Sequence, residues 1–132
     1  MAKTIPKATD LAINFEHVFT GYGKKTILYD INLQIKKGNM VAVIGNSGAG
    51  KSTGIRCMTA QILPQHGQAY TSGISVKHRE TVQSLIGYVP QLEYLSLYYN
   101  FSAEQNAVFF GKNYGIESQV IKKKCKEIKE IV

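Results

Sequence analysis

MVAVIGNSGAGKST, residues Met40 to Thr53, is the stretch from which the rest of the chain is read. Met40 to Ile44 are apolar without alternation, the pattern of a strand buried on both faces. Then come Gly45, Asn46, Ser47, Gly48, Ala49, Gly50, Lys51, Ser52 and Thr53, whose spacing Gly45-x4-Gly50-Lys51-Ser52 is a complete Walker A motif. Glycines allow positive φ and bring successive backbone N–H groups onto one concave surface. The N-terminus of the helix that follows the loop would add the positive end of its dipole. Lys51 supplies a point charge for β- and γ-phosphates, and Ser52 a hydroxyl for Mg²⁺. The pattern predicts a loop that holds a nucleoside triphosphate.

Composition bounds the rest. At 132 residues, with 44% hydrophobic and 19% charged, the chain has the make-up of one folded domain or part of one. Its longest aliphatic run is Met40–Ile44, far short of the ~20 residues that span a bilayer. The start, Met1-Ala-Lys-Thr-Ile-Pro-Lys, lacks the apolar core of a signal peptide. Cys57 and Cys125 have neither CxxC nor metal-site spacing and are expected as free thiols in a reducing compartment. The net charge is +7, and six of the sixteen basic residues lie at or after Lys112. Lys122-Lys123-Lys124 read as a solvated helix face, because no aromatic residues interleave with them to stack bases.

Taken in order, residues 1–12 form a polar leader. Ile13, Phe15, His17 and Phe19 alternate with Asn14, Glu16 and Val18, which predicts a half-buried strand. Gly21–Lys25 is a turn, and Ile31, Leu33 and Ile35 share one face of a second strand. After the loop a helix is expected to about Ile62, stopped by Pro64. Ala69–Val76, with Ser72-Gly73 at its centre, predicts a short hairpin. Ile86–Val89 reads as a strand ended by Pro90. Ser102-x-x-Gln105 is a capping box that opens a helix with Ala103, Ala107, Phe110 and Tyr114 on one face, ended by Gly115. A last helix carries Ile121, Cys125, Ile128 and Val132 as a stripe.

Together, Gly21-Tyr22-Gly23, the Leu28–Leu33 strand, Lys37-Gly38, GNSGAGKST and Tyr88-Val89-Pro90-Gln91 resemble the N-terminal half of an ABC-transporter ATP-binding domain. The likeness runs from about Ile13 to the end. It implies an α/β P-loop NTPase fold: an antiparallel β subdomain beside a partial parallel sheet, ending within a helical subdomain. The implied divisions are 13–91 for the ATP-binding core and 92–132 for the start of the helical part. Tyr22 matches the aromatic that stacks on adenine, Asn46–Thr53 the phosphate loop, and Gln91 the glutamine that touches Mg²⁺ or the attacking water. Phe101–Ile116 is similar to lipid and multidrug exporters. Gly54 departs from the family's usual leucine and weakens the helix by roughly 1 kcal/mol relative to alanine.

The resemblance implies ATP and Mg²⁺ as ligands, a transmembrane transporter subunit or domain and a second ATP-binding domain as partners, and a place at the cytoplasmic face of a membrane. Nucleic acid is not expected. No LSGGQ-like signature, Walker B strand or switch histidine follows the loop; the only aspartates, Asp10 and Asp30, precede Lys51. Neither Glu80, Glu93 nor Glu104 follows a run of four apolar residues, as a strand-end base would. ATP binding without hydrolysis is therefore expected of the chain alone. The alternatives are a soluble ABC-type ATPase acting on ribosomes or nucleic acid, and a non-catalytic truncated remnant. A GTPase is disfavoured by the lack of Asn-Lys-x-Asp, and a small-molecule kinase by the strands and aromatic ahead of the loop.

Overall fold

A hairpin of two long strands organises the first part of the molecule. The structure, a computed structural model, describes residues 10–91 and 97–131. It divides into two compact units, Met1–Gly87 and Tyr88–Val132. Most of the leader, Glu93 and Val132 lie outside the described residues.

In the first unit, β1 (Leu11–Tyr22) and β2 (Lys25–Lys36) pair antiparallel around the left-handed Gly23. β3 (His66–Thr71) joins the other side of β1, and β4 (Ile74–Ser75) closes the sheet in the order β2-β1-β3-β4. All three pairings are antiparallel. The β3–β4 turn falls on Ser72 and Gly73, both at positive φ (50° and 80°), the combination a tight hairpin prefers.

The simple alternation expected of β1 is corrected at His17. His17 has φ 49°, and the pairing with β3 shifts register between Glu16 and Phe19. A bulge inserts one residue and re-phases the strand. Phe15, Val18 and Thr20 therefore face inward and His17 faces solvent. On β2 the expected face holds, with Ile31, Leu33 and Ile35 half-buried between exposed neighbours.

Helix α1 (Lys51–Met58) packs Cys57 against Phe15, Val18, Ala69 and Val76 of the sheet side. Val82 of α2 (Arg79–Ser84) completes this core. α1 is shorter than the sequence suggested, and Ala60 just beyond it takes φ 55°. The Thr71 hydroxyl donates to the Met58 carbonyl at 2.6 Å, tying the helix end to β3.

Two expected strands are absent from the sheet. Met40–Ile44 and Ile86–Val89 carry no strand structure, and Met40 and Ile44 are almost wholly exposed. A doubly buried strand needs a ladder on either side and a layer on each face, all supplied by distant chain. Among the described residues no strand flanks Met40–Ile44, so its apolar sequence alone does not make it one.

In the second unit, α3 (Ala103–Asn113) begins with the expected capping box: Ser102 accepts from the Gln105 N–H while Gln105 accepts from the Ser102 N–H. Gly115 follows at φ 72°. α4 (Ser118–Lys129) packs Ile121 over Gly111, where a β-carbon would collide with the isoleucine. Lys122, Lys123 and Lys124 are all exposed. The polar residue at the centre of this unit went unforeseen. Asn106 is buried, donates to the Tyr98, Phe101 and Ser102 carbonyls and accepts from the Tyr98 N–H. No helix among the described residues is long and apolar enough to cross a membrane.

Candidate functional site

The loop between Gly45 and α1 owes its shape to two left-handed glycines. Gly48 and Gly50 have φ of 81° and 90°, a region that costs other residues roughly 1–2 kcal/mol. Asn46 closes a turn by accepting from the Ala49 N–H at 3.2 Å. Gly50 is the N-cap of α1, and its carbonyl takes the Gly54 N–H at 2.9 Å. Gly50 also has a packing reason to be glycine: an added β-carbon would lie 2.6 Å from Leu28 Cδ2 and 3.2 Å from Ile27 Cγ2. The loop therefore rests directly on β2.

The start of α1 is electrostatically open. Gly50 brings no side-chain cap, and the first turn contains no acidic residue. Leading N–H groups of a helix need a partner, and an anion answers both that need and the dipole. Lys51 folds back over the loop, its Nζ donating to the carbonyls of Gly45 at 2.6 Å and Asn46 at 2.8 Å. Among the described residues it forms no ion pair, so its charge is not neutralised by a carboxylate. Asn46, Ser47, Ala49 and Ser52 are exposed and Thr53 is buried beneath them. Backbone dipoles and one ammonium on this surface suit it chemically to clustered negative charge.

Tyr22 ends β1, less than half exposed, within the same unit. Its hydroxyl accepts from Arg56 Nη1 at 2.8 Å, and the guanidinium carbon lies 5.8 Å from the ring centre. The turn beside it is pinned by Gln65, which donates to the Gly23 carbonyl at 2.9 Å and accepts from the Thr26 hydroxyl at 2.8 Å. Arg56 and Gln65 were missed in the sequence. Arg56 is 34 residues from its partner and Gln65 is 42, and no periodic signal spans such distances.

Gln91 is exposed and belongs to the second unit. Of the acidic residues after the loop, Glu80 sits in the first turn of α2 and Glu104 in that of α3, where Lys129 pairs with it at 3.5 Å. Cys57, on the inner face of α1, is buried, and desolvation pushes its thiol from an ordinary 9.0 up to about 11. That thiol is core, not chemistry. No cluster of metal-binding side chains is present among the described residues.

Comparison with known proteins places this geometry in context. A family model described as ABC transporter matches residues 28–131. A linearmycin resistance ATP-binding protein of Bacillus subtilis (strain 168) is 38% identical over 119 residues, which are 89% of this chain and 37% of the relative. An energy-coupling factor transporter ATP-binding protein of Oenococcus oeni is 26% identical, over 92% of this chain and 46% of its own length. The solved structure of cbiO1 from Clostridium perfringens, part of an ABC transporter complex, superposes with a TM-score of 0.77 at 24% identity. It aligns with 90% of this chain and 49% of its own, a likeness that speaks for the fold. The chain thus spans between a third and a half of the length of these two relatives.

Proposed function

We propose, since this chain belongs to the ABC transporter family, that its loop Gly45–Thr53 holds the triphosphate of ATP and that Tyr22 carries the adenine. The observation that supports this most is the pair of left-handed glycines at the uncapped, acid-free start of α1, with Lys51 folded over them. Backbone N–H groups of the loop donate to phosphate oxygens, and Lys51 exchanges its carbonyl partners for the β- and γ-phosphates. The exposed Ser52 hydroxyl is the group of this loop that would hold Mg²⁺, which when bound spreads the charge of the triphosphate. Tyr22 offers a ring for base stacking, a contact of about 1–3 kcal/mol in nucleic-acid complexes.

In this reading the protein is the ATP-binding part of a transporter at the cytoplasmic face of a membrane, working with a transmembrane partner and a second ATP-binding domain. Gln91 serves as the residue that signals to that partner. The 132-residue chain binds MgATP without turning it over, because Glu80 and Glu104 occupy helix starts and not strand ends. The test is calorimetric titration with MgATP. Lys51→Ala should weaken binding by about a hundredfold, the scale of hydrogen bonds to a charged group. Unchanged affinity in Lys51→Ala refutes the site. Steady Lys51-dependent phosphate release by the purified chain refutes the binding-only assignment.

A further inference from the structure

Arg56 holds the hydroxyl end of Tyr22 from a helix whose first residue is Lys51. The two strands meeting at Tyr22 are fixed independently. Gly21 is confined by the hairpin, where a β-carbon would strike the Lys25 carbonyl, and Gln65 bridges Gly23 and Thr26. The backbone of Tyr22 is thus set by the sheet, while its ring is set by α1. A tyrosine at a strand end has two free side-chain torsions, and a hydrogen bond at its far end removes most of that freedom. The shorter contact uses the hydroxyl, and the guanidinium carbon lies 5.8 Å from the ring centre, at the outer edge of cation–π range.

We propose that Arg56 is a positioning residue for the nucleotide base. It fixes the ring of Tyr22 in register with the phosphate loop, through the helix that starts at the loop and carries the arginine five residues on. The proposal rests on Tyr22 being the base platform. Because Arg56 acts through the Tyr22 hydroxyl, its effect belongs to ligands that carry a base and vanishes when that hydroxyl is removed.

The experiment is a double-mutant cycle on the 132-residue chain with MgATP, using Arg56→Gln and Tyr22→Phe, and inorganic tripolyphosphate as the ligand without a base. Each single variant should weaken ATP roughly two- to tenfold, the range of one net hydrogen bond, and the double variant should lose no more than either alone. Tripolyphosphate should bind all of them alike. Additive losses overturn the proposal, as does an Arg56→Gln loss shared equally by ATP and tripolyphosphate, which would place Arg56 in the loop's own stability. Circular dichroism on each variant separates these outcomes from misfolding, and both side chains are exposed enough to be changed without opening the core. Tyr22→Ala distinguishes the premise from the inference. If it weakens ATP while Arg56→Gln does not, the platform stands and the positioning role falls. If Tyr22→Ala has no effect, the platform itself falls.

Discussion

The two halves of MVAVIGNSGAGKST meet different fates. Gly45–Thr53 takes the conformation its residues prescribe, while Met40–Ile44 carries no regular structure and lies exposed although it is the longest aliphatic run in the chain. The difference is the range of the interactions each half needs. Left-handed glycines, a turn bond from Ala49 to Asn46 and the first helical bond from Gly54 to Gly50 are local, and the packing surface at Ile27 and Leu28 is already built by the hairpin. A doubly buried strand needs neighbours on two edges and two faces, so hydrophobicity by itself does not order it.

The sharpest way to break this contrast is Gly50→Ala. It combines a left-handed φ of 90° with a collision against Leu28, and should cost about 2–5 kcal/mol from backbone strain and overpacking together. Urea denaturation measures it, and a cost below 1 kcal/mol would mean that the loop does not rest on β2.

Thiol kinetics sharpen it next. Cys57, buried with its thiol raised to about 11, should react with an alkylating reagent at pH 8 about a hundredfold more slowly than a cysteine introduced by Val43→Cys. The same shift has a stability sign. The fold favours the neutral thiol, so its contribution is complete below about pH 9 and is lost as pH rises toward 11. Equal reactivity of the two thiols would dissolve the contrast.

Gly48→Ala is the control for Gly50→Ala. Gly48 is also left-handed, at φ 81°, but nothing lies within 4 Å of an added β-carbon, so the cost should be strain alone, about 1–2 kcal/mol. Smallest of all, Ile44→Ser should change stability by less than about 0.5 kcal/mol, as exposed substitutions do, while reducing self-association in sedimentation. A large loss of stability would show that Met40–Ile44 is packed after all.

What the sequence disclosed follows the same division. The β1–β2 hairpin, the Ser72-Gly73 turn, the Ser102–Gln105 capping box and the left-handed glycines of the Gly45–Thr53 loop were legible because each is written within a few residues. The bulge at His17 was not, because it answers to the register of β3, far along the chain. The buried Asn106 was not, since asparagine in mid-helix reads as a surface residue until the carbonyls of Tyr98 and Phe101 are brought to it. The candidate site divides likewise: the Gly45–Thr53 loop is a motif, whereas the Arg56–Tyr22 contact exists only in three dimensions.

Under the proposed function, the two bonds from Lys51 to the carbonyls of Gly45 and Asn46 make phosphate binding an exchange, not an addition. The ammonium gives up two neutral acceptors to gain charged ones, so only the excess of the new contacts over the old counts toward affinity. One phosphate group, offering little beyond what the lysine already has, barely tips that balance. A chain of phosphates that also engages the N–H groups of the helix start tips it decisively. Discrimination against the abundant inorganic anions of a cell is, on this view, set by a competitor that the loop carries within itself.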